Sequence, residues 1–220
     1  MPAAPRCAPV VDSQRDDKIP RLRDVQDIVD LILDDPFRRA VIEAARSLGL
    51  RDGAIGAGFV RQPVWDHLHG YQPSEKFADI DVLYFNALDT SPLADLRFEK
   101  ELAQRLPGVP WSVKNQARMH LRNGESPYRD TEDAIAHWLE RSTAVAVALP
   151  SRAPKPLLAP YGVDDLLNLI LAPTPSGTQR AQAYRDRLRE KRMHVRWPKI
   201  TVFDADGSRI DAERLQREFE

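Results

Sequence analysis

At 220 residues the chain is sized for one domain, and a chain of that length buries enough surface to fold without disulfide or metal staples. Lys and Arg number 32 against 33 Asp and Glu, a formal charge of −1 that excludes a uniformly basic nucleic-acid coat but not a local patch. The single cysteine, Cys7, excludes an intrachain disulfide and a Cys-built zinc site. No apolar run approaches the roughly 18 residues of a membrane span, and no charged start with an apolar core precedes the first helix, so the expected setting is the cytoplasm.

Residues 1–20 read as a flexible tail. From Arg21 to Leu33, apolar residues at Leu22, Val25, Ile28, Val29 and Ile32 recur with helical period. A second helix is predicted from Pro36 to Leu48, with Pro36 in its first turn and Gly49 at its stop. GAIGAG (53–58) reads as a buried strand, and Gly58 opens a helix to Gly70 with Pro63 expected in the first turn, where its missing N–H costs nothing. A loop at 71–78 leads to a strand, ADIDVLYF (78–85), and an amphipathic helix over 92–106 follows. Another strand at 110–116, a short helix over 130–140 and the strand TAVAVAL (143–149) come next. Helices are predicted at 163–171 and 178–194, separated by APTPSG. The stretch 200–220 reads as a strand, a turn at Asp206-Gly207 and a helix. The class is α+β, or mixed α/β: a small mixed sheet flanked by helices.

Chemistry concentrates at two places. Asp79 and Asp81 are two apart on a predicted strand and so project from one face, while Ile80 and Val82 point to the core. Adjacent carboxylates repel, and a cation resolves the repulsion. Mg²⁺ suits the role, with Mn²⁺ as a substitute, because it takes one or two carboxylates and completes its shell with phosphates and water. The second place is the turn Gly56-Ala57-Gly58. Small residues at a strand-to-helix turn let backbone N–H groups approach a phosphate, and Arg61, one turn into the helix, is positioned to reach the same anion. Close packing of strand against helix is the competing account of these glycines.

The string GAGFVRQPVWDHLHGY followed by DIDVLYF resembles the head of the DNA polymerase beta nucleotidyltransferase superfamily. Its texture is similar to the Gly-Gly-x-Val-Arg and Asp-x-Asp signature of tRNA CCA-adding enzymes. More closely, the chain resembles a bacterial nucleotidyltransferase-like family first catalogued as a domain of unknown function. The matching strings continue through PWSVKNQARMHLRNG, the PY of SPYRDTEDAIAHWLE, APYGVDDLLNLILAPTP and REKRMHVRWPK, over about residues 36–199. The resemblance implies a nucleotidyltransferase fold and, by the superfamily's pattern, Gly58 and Arg61 near the triphosphate with Asp79 and Asp81 on metal. It does not by itself give the substrate, and an NTP donor is the expectation. The expected organisation is a tail (1–20), a nucleotidyltransferase-like domain (21–199, core about 36–150 with a helical annex at 160–199) and an extension (200–220). The expected activity is Mg²⁺-dependent transfer of a nucleoside monophosphate to an acceptor that is a small molecule, a protein or an RNA.

One departure bears on catalysis. Many superfamily members carry a third carboxylate on the strand after the intervening helix, whereas here the residues expected to face the site are Val113 and Asn115. The alternative reading is therefore a catalytically inactive nucleotide- or RNA-binding module. The segment from Lys114 to Asn123 is dense with hydrogen-bonding groups; a solvated edge is one account of it, and a nucleotide or acceptor contact, with Asn115 and Arg118 as the expected nucleotide-binding residues, is the other. His67 and His69, at i and i+2 on a helix, do not face one another and are expected to cap and pack. Residues 178–199 carry eight Lys and Arg against two acids, a patch able to hold a polyanion, although a solvated helix is the favoured account.

Overall fold

Aspartates start the first two helices. Asp24 accepts from the N–H groups of Gln26 and Asp27 and caps α1 (Val25–Asp34); Asp35 does the same for α2 (Pro36–Arg46) through Phe37 and Arg38. The computed structural model describes residues 21–72, 77–149, 155–211 and 213–215. The expected tail and most of the expected C-terminal helix lie outside these residues.

The central sheet is built from β1 (Ala54–Gly56), β2 (Ile80–Tyr84), β3 (Trp111–Asn115), β4 (Ala146–Ala148) and β5 (Leu157–Leu158), in the order β3-β2-β1-β4-β5. Only β2 and β3 run parallel, as their crossover through α4 (Pro92–Arg105) requires; the other pairs are antiparallel. Between β1 and β2 lies α3 (Gly58–His69). A 3-10 turn at Gln116–Arg118, α5 (Met119–Asn123) and α6 (Thr131–Ala136) link β3 to β4. The C-terminal part holds α7 (Asp164–Leu167), α8 (Pro175–Gln179), α9 (Ala181–Lys191) and α10 (Met193–Arg196). It also forms a second sheet, β6-β7-β8, from Ile170–Leu171, Thr201–Phe203 and Arg209–Ile210.

Period-two alternation gives the central sheet two unlike faces. Ile80, Val82, Tyr84 and Val113 join the main core with Ile28, Ile32, Val41, Val60, Trp65 and Leu102 from the helices. On the other face, Ala54, Leu83 and Ala146 pack only against Ile135 of α6 and against Trp138 and Leu158. This thin cover leaves part of the sheet open, and the cleft lies there. No helix among the described residues is long and apolar enough to cross a membrane.

The structure departs from sequence expectation at identifiable points. Pro63 is the sixth residue of α3, beyond the first turn. The strand expected at 78–85 starts at Ile80, so Asp79 precedes it. The helix expected over 178–194 breaks at Arg180 and at Arg192, whose φ is 44°. The run 163–171 divides into α7 and β6, since a short apolar stretch carries no period that separates helix from strand. β7 and β8 form a hairpin around the expected Asp206-Gly207 turn, and Gly207 takes φ 83°.

Candidate active site

A cleft of about 570 Å³ opens over the thinly covered face of the sheet. Ala57 at the β1–α3 turn, Asp81 on β2, Lys114 on β3, Glu140 before β4 and Arg187 on α9 all line it. Asp81 is half-buried on its floor. Burial first, and the charge of Asp79 second, push its carboxyl from the ordinary 3.8 to about 6, against the opposing pull of Arg187, Lys191 and Lys114. Asp79 stands exposed just before the strand.

Among the described residues no group of three or more His, Cys, Asp or Glu is arranged to hold a metal. Two carboxylates that repel each other beside an open cleft fit a hard cation whose other ligands come from phosphate and water.

The turn preceding α3 is shaped by Ala57 rather than by either glycine. Ala57 has φ 55° and ψ −122°, and it provides no side-chain cap for the helix that starts at Gly58. Its carbonyl accepts from Val60 and Arg61 N–H. Ala57 lines the cleft, so the N-terminal end of a twelve-residue helix without a capping side chain stands beside it, and the helix dipole there favours an anion. Gly56 serves packing: a Cβ there would meet Trp138 Cη2 at 3.0 Å and both the Ala146 Cβ and Leu83 Cδ1 at 3.2 Å. At Gly58 a Cβ would meet only the flexible Gln62 amide at 3.0 Å.

Arg61 lies behind the turn. It is buried, donates from Nη1 to Thr143 Oγ1, and places its guanidinium 5.4 Å from the Trp65 ring and 5.8 Å from the Trp197 ring. Burial lowers its pKa to about 10, and its Nε has no partner among the described residues.

Asn115 and Arg118 are not brought to the aspartates. The β2–β3 register pairs Asp81 with Ser112 and Leu83 with Lys114, so Ser112 and Lys114 share the cleft face, while Val113 and Asn115 face the helices. The expectation that Val113 and Asn115 face the site fails because a shift of one residue in register exchanges the two faces of a strand. Asn115 is fully buried: its Nδ2 donates to the carbonyls of Asn86 and Asp89 at 2.8 Å, and its Oδ1 accepts from Asn86 and Ala117 N–H. Arg118 pairs with buried Asp95, which also accepts from Tyr84 OH at 2.8 Å. Together these groups clamp α4 to the end of the sheet.

His69 accepts from Lys199 N–H at Nε2, and its Nδ1 lies 2.7 Å from the Trp65 carbonyl oxygen, in keeping with a packing role. The basic run is largely engaged by acids: Arg185 with Asp204, Arg187 with Glu140, Arg189 with Asp186 and Arg196 with Asp66. Glu140 and Arg187 were not singled out from sequence, because 47 residues separate them and only the docking of α9 unites them. Tyr128 and His137 also line the cleft, and beside them Glu125 takes hydrogen bonds from Tyr128 and Ser176 and lies 3.0 Å from His137 Nδ1. Burial alone would raise the Glu125 carboxyl, yet those contacts hold it below its ordinary value.

A nucleotidyltransferase family model matches residues 43–202. No curated protein matches. Among solved structures, an NMR structure described as revealing a CCA-adding enzyme head domain is 32% identical, with TM-score 0.72, over 81% of this chain and 95% of that one. The Thermotoga maritima CCA-adding enzyme complexed with tRNA is 17% identical with TM-score 0.52, over 90% of this chain and 45% of that one. A CCA-adding enzyme in complex with CTP is 16% identical with TM-score 0.53, over 89% and 46%. The last two share the fold, and this chain spans under half of their length.

Proposed function

The chain belongs to the nucleotidyltransferase family, and on that premise we propose that it transfers a nucleoside monophosphate from an NTP to an acceptor hydroxyl, with Asp79 and Asp81 holding Mg²⁺. The observation that carries this reading is Asp81. A half-buried carboxylate made costly by its neighbour stands in the same cleft as the uncapped N-terminus of α3.

The leading N–H groups of α3 would orient the triphosphate, with its α-phosphorus toward Asp81. Arg61 would add positive potential from behind the turn without touching the ligand, since Thr143, Trp65 and Trp197 occupy it. Gly56 and Gly58 leave room for the turn, and the Trp138 ring closes over Gly56. Mg²⁺, when bound, would supply charge stabilisation for the phosphoryl oxygens during in-line displacement. The acceptor oxygen would form its bond to the α-phosphorus as the α–β bridge breaks and pyrophosphate leaves. The CCA-adding enzymes of similar fold were solved with CTP or with tRNA, which supports an NTP and leaves RNA among the acceptors to be tried.

Calorimetry with each NTP and Mg²⁺ tests the reading. Metal-dependent binding by the native chain, lost in Asp79→Ala/Asp81→Ala, is the expected result; equal binding by the variant rejects it.

A further inference from the structure

Arg187 reaches the cleft from α9, outside the strand–turn–helix that carries the motif residues, and Glu140 determines how it does so. Glu140 is fully buried; its Oε1 accepts from Arg187 Nε at 2.6 Å, and its Oε2 has no partner among the described residues. The pair engages only the Nε edge of the guanidinium. Among the described residues neither Nη nitrogen of Arg187 has a hydrogen-bond acceptor, and the side chain, 30% exposed, lines the cleft.

The other cations near the cleft are differently placed. Arg180 donates to Asn123 Oδ1, the His137 carbonyl and the Ser176 carbonyl, so all three of its nitrogens are engaged. Lys114 turns its ammonium to Glu99 and the Val113 carbonyl at the sheet edge. Arg61 is held between two indoles. Arg122 is exposed, with no hydrogen-bond partner among the described residues to orient it. A guanidinium fixed by one edge and open at the other suits two-point binding of phosphate oxygens.

We propose that Arg187 is the polyphosphate clamp of this site, its two Nη groups binding nonbridging oxygens of the nucleotide, with Glu140 as its positioning residue. The proposal rests on the nucleotidyl-transfer reading and deepens it, because it makes the C-terminal helices part of the substrate site.

Calorimetry on the full chain tests it with two probes in Mg²⁺: the four NTPs, and tripolyphosphate, which has the charge but neither base nor sugar. Arg187→Ala should weaken both by about 10- to 100-fold. Arg187→Lys should recover only part, since an ammonium makes no two-point contact. Glu140→Gln/Arg187→Gln removes both charges of the pair and should show the same loss. Because Glu140 also stands against the buried Arg61, the melting temperature is read beside the parent's, and Arg187→Gln alone, which keeps Glu140 for Arg61, should show the loss as well. Glu140→Gln alone should weaken tripolyphosphate binding several-fold, an effect that disappears in the Arg187→Gln background, whereas a purely structural Glu140 would act equally in both. Native affinity in the double variant overturns the proposal. If the native chain binds NTP through Asp79 and Asp81 and the Arg187 variants bind equally well, only this inference falls. If the native chain binds neither probe, the nucleotidyl-transfer reading falls with it.

Discussion

Replacing Asp81 by Asn should make the metal-free protein more stable. Burial and the neighbouring Asp79 charge raise the Asp81 carboxyl from 3.8 to about 6. A carboxyl whose folded-state value is raised costs stability wherever it must ionise: nothing below its unfolded value, progressively more between about 4 and 6, and the full amount above about 6. A shift of roughly two units sets a ceiling of about 3 kcal/mol, and a half-buried group retains about half of it or more. For a chain of this size, each kcal/mol moves the melting temperature by about 2–4 °C, so Asp81→Asn should melt roughly 3–10 °C higher.

The assay is differential scanning calorimetry in EDTA at pH 7.5 and again near pH 4, parent beside variant. The gain should be present at pH 7.5 and nearly gone near pH 4, where the parent carboxyl is neutral. Adding Mg²⁺ with an NTP at pH 7.5 should then reverse the order, because ligand binding stabilises the parent and not the variant. A variant no more stable than the parent at pH 7.5, or a gain undiminished near pH 4, refutes the claim that this carboxylate is held at a cost.

Other substitutions probe how the cleft is assembled. Gly56→Ala forces a Cβ against Trp138, Ala146 and Leu83 and should cost about 1–3 kcal/mol in urea denaturation, with a change in tryptophan fluorescence. Gly58→Ala meets only a mobile glutamine amide and should stay within about 0.5 kcal/mol of the parent in the same assay. At Gly177 a Cβ would press on the Leu139 carbonyl oxygen, which is backbone and cannot yield, so Gly177→Ala should cost more than about 3 kcal/mol by chemical denaturation. Asp66→Ala removes the acceptor of the Trp197 indole N–H at 2.8 Å and the partner of Arg196. It should cost about 2–3 kcal/mol, and hydrogen exchange should quicken in α9 and α10 before it does in β2.

The elements that sequence located well are those whose signals are local. The helical recurrence of Val25, Ile28, Val29 and Ile32 marks α1, Pro36 opens α2, and the alternation of Ile80, Val82 and Tyr84 matches a strand. The pairing of glycine turn with aspartates was legible because both flank one strand–helix–strand unit. The face of β3 was not, since it depends on register: Tyr84 against Asn115 puts the asparagine on the helix side. Glu140 and Arg187 carry no local pattern at all. Their meeting depends on α9 packing against the segment that precedes β4, after the chain breaks its helix at Arg180.

Charge gives the last step of synthesis. The near-neutral sum conceals a run of eight cations at 178–199, which by count alone resembles a polyanion surface. In the folded chain that run holds the C-terminal helices down: Arg185 binds Asp204, Arg187 binds Glu140, Arg196 binds Asp66 on α3. Each pairing converts a solvated charge into a fixed one, and fixing matters more than number for the triphosphate site proposed above. Arg61 and Arg187 illustrate the difference. The motif arginine is immobilised behind the turn by Thr143 and two indoles, while the arginine from the basic run is anchored by one edge on the cleft that Asp81 also lines. A local patch was compatible with a net charge of −1 from the start. What the fold adds is its address: one oriented guanidinium on the wall of the cleft that holds the aspartate.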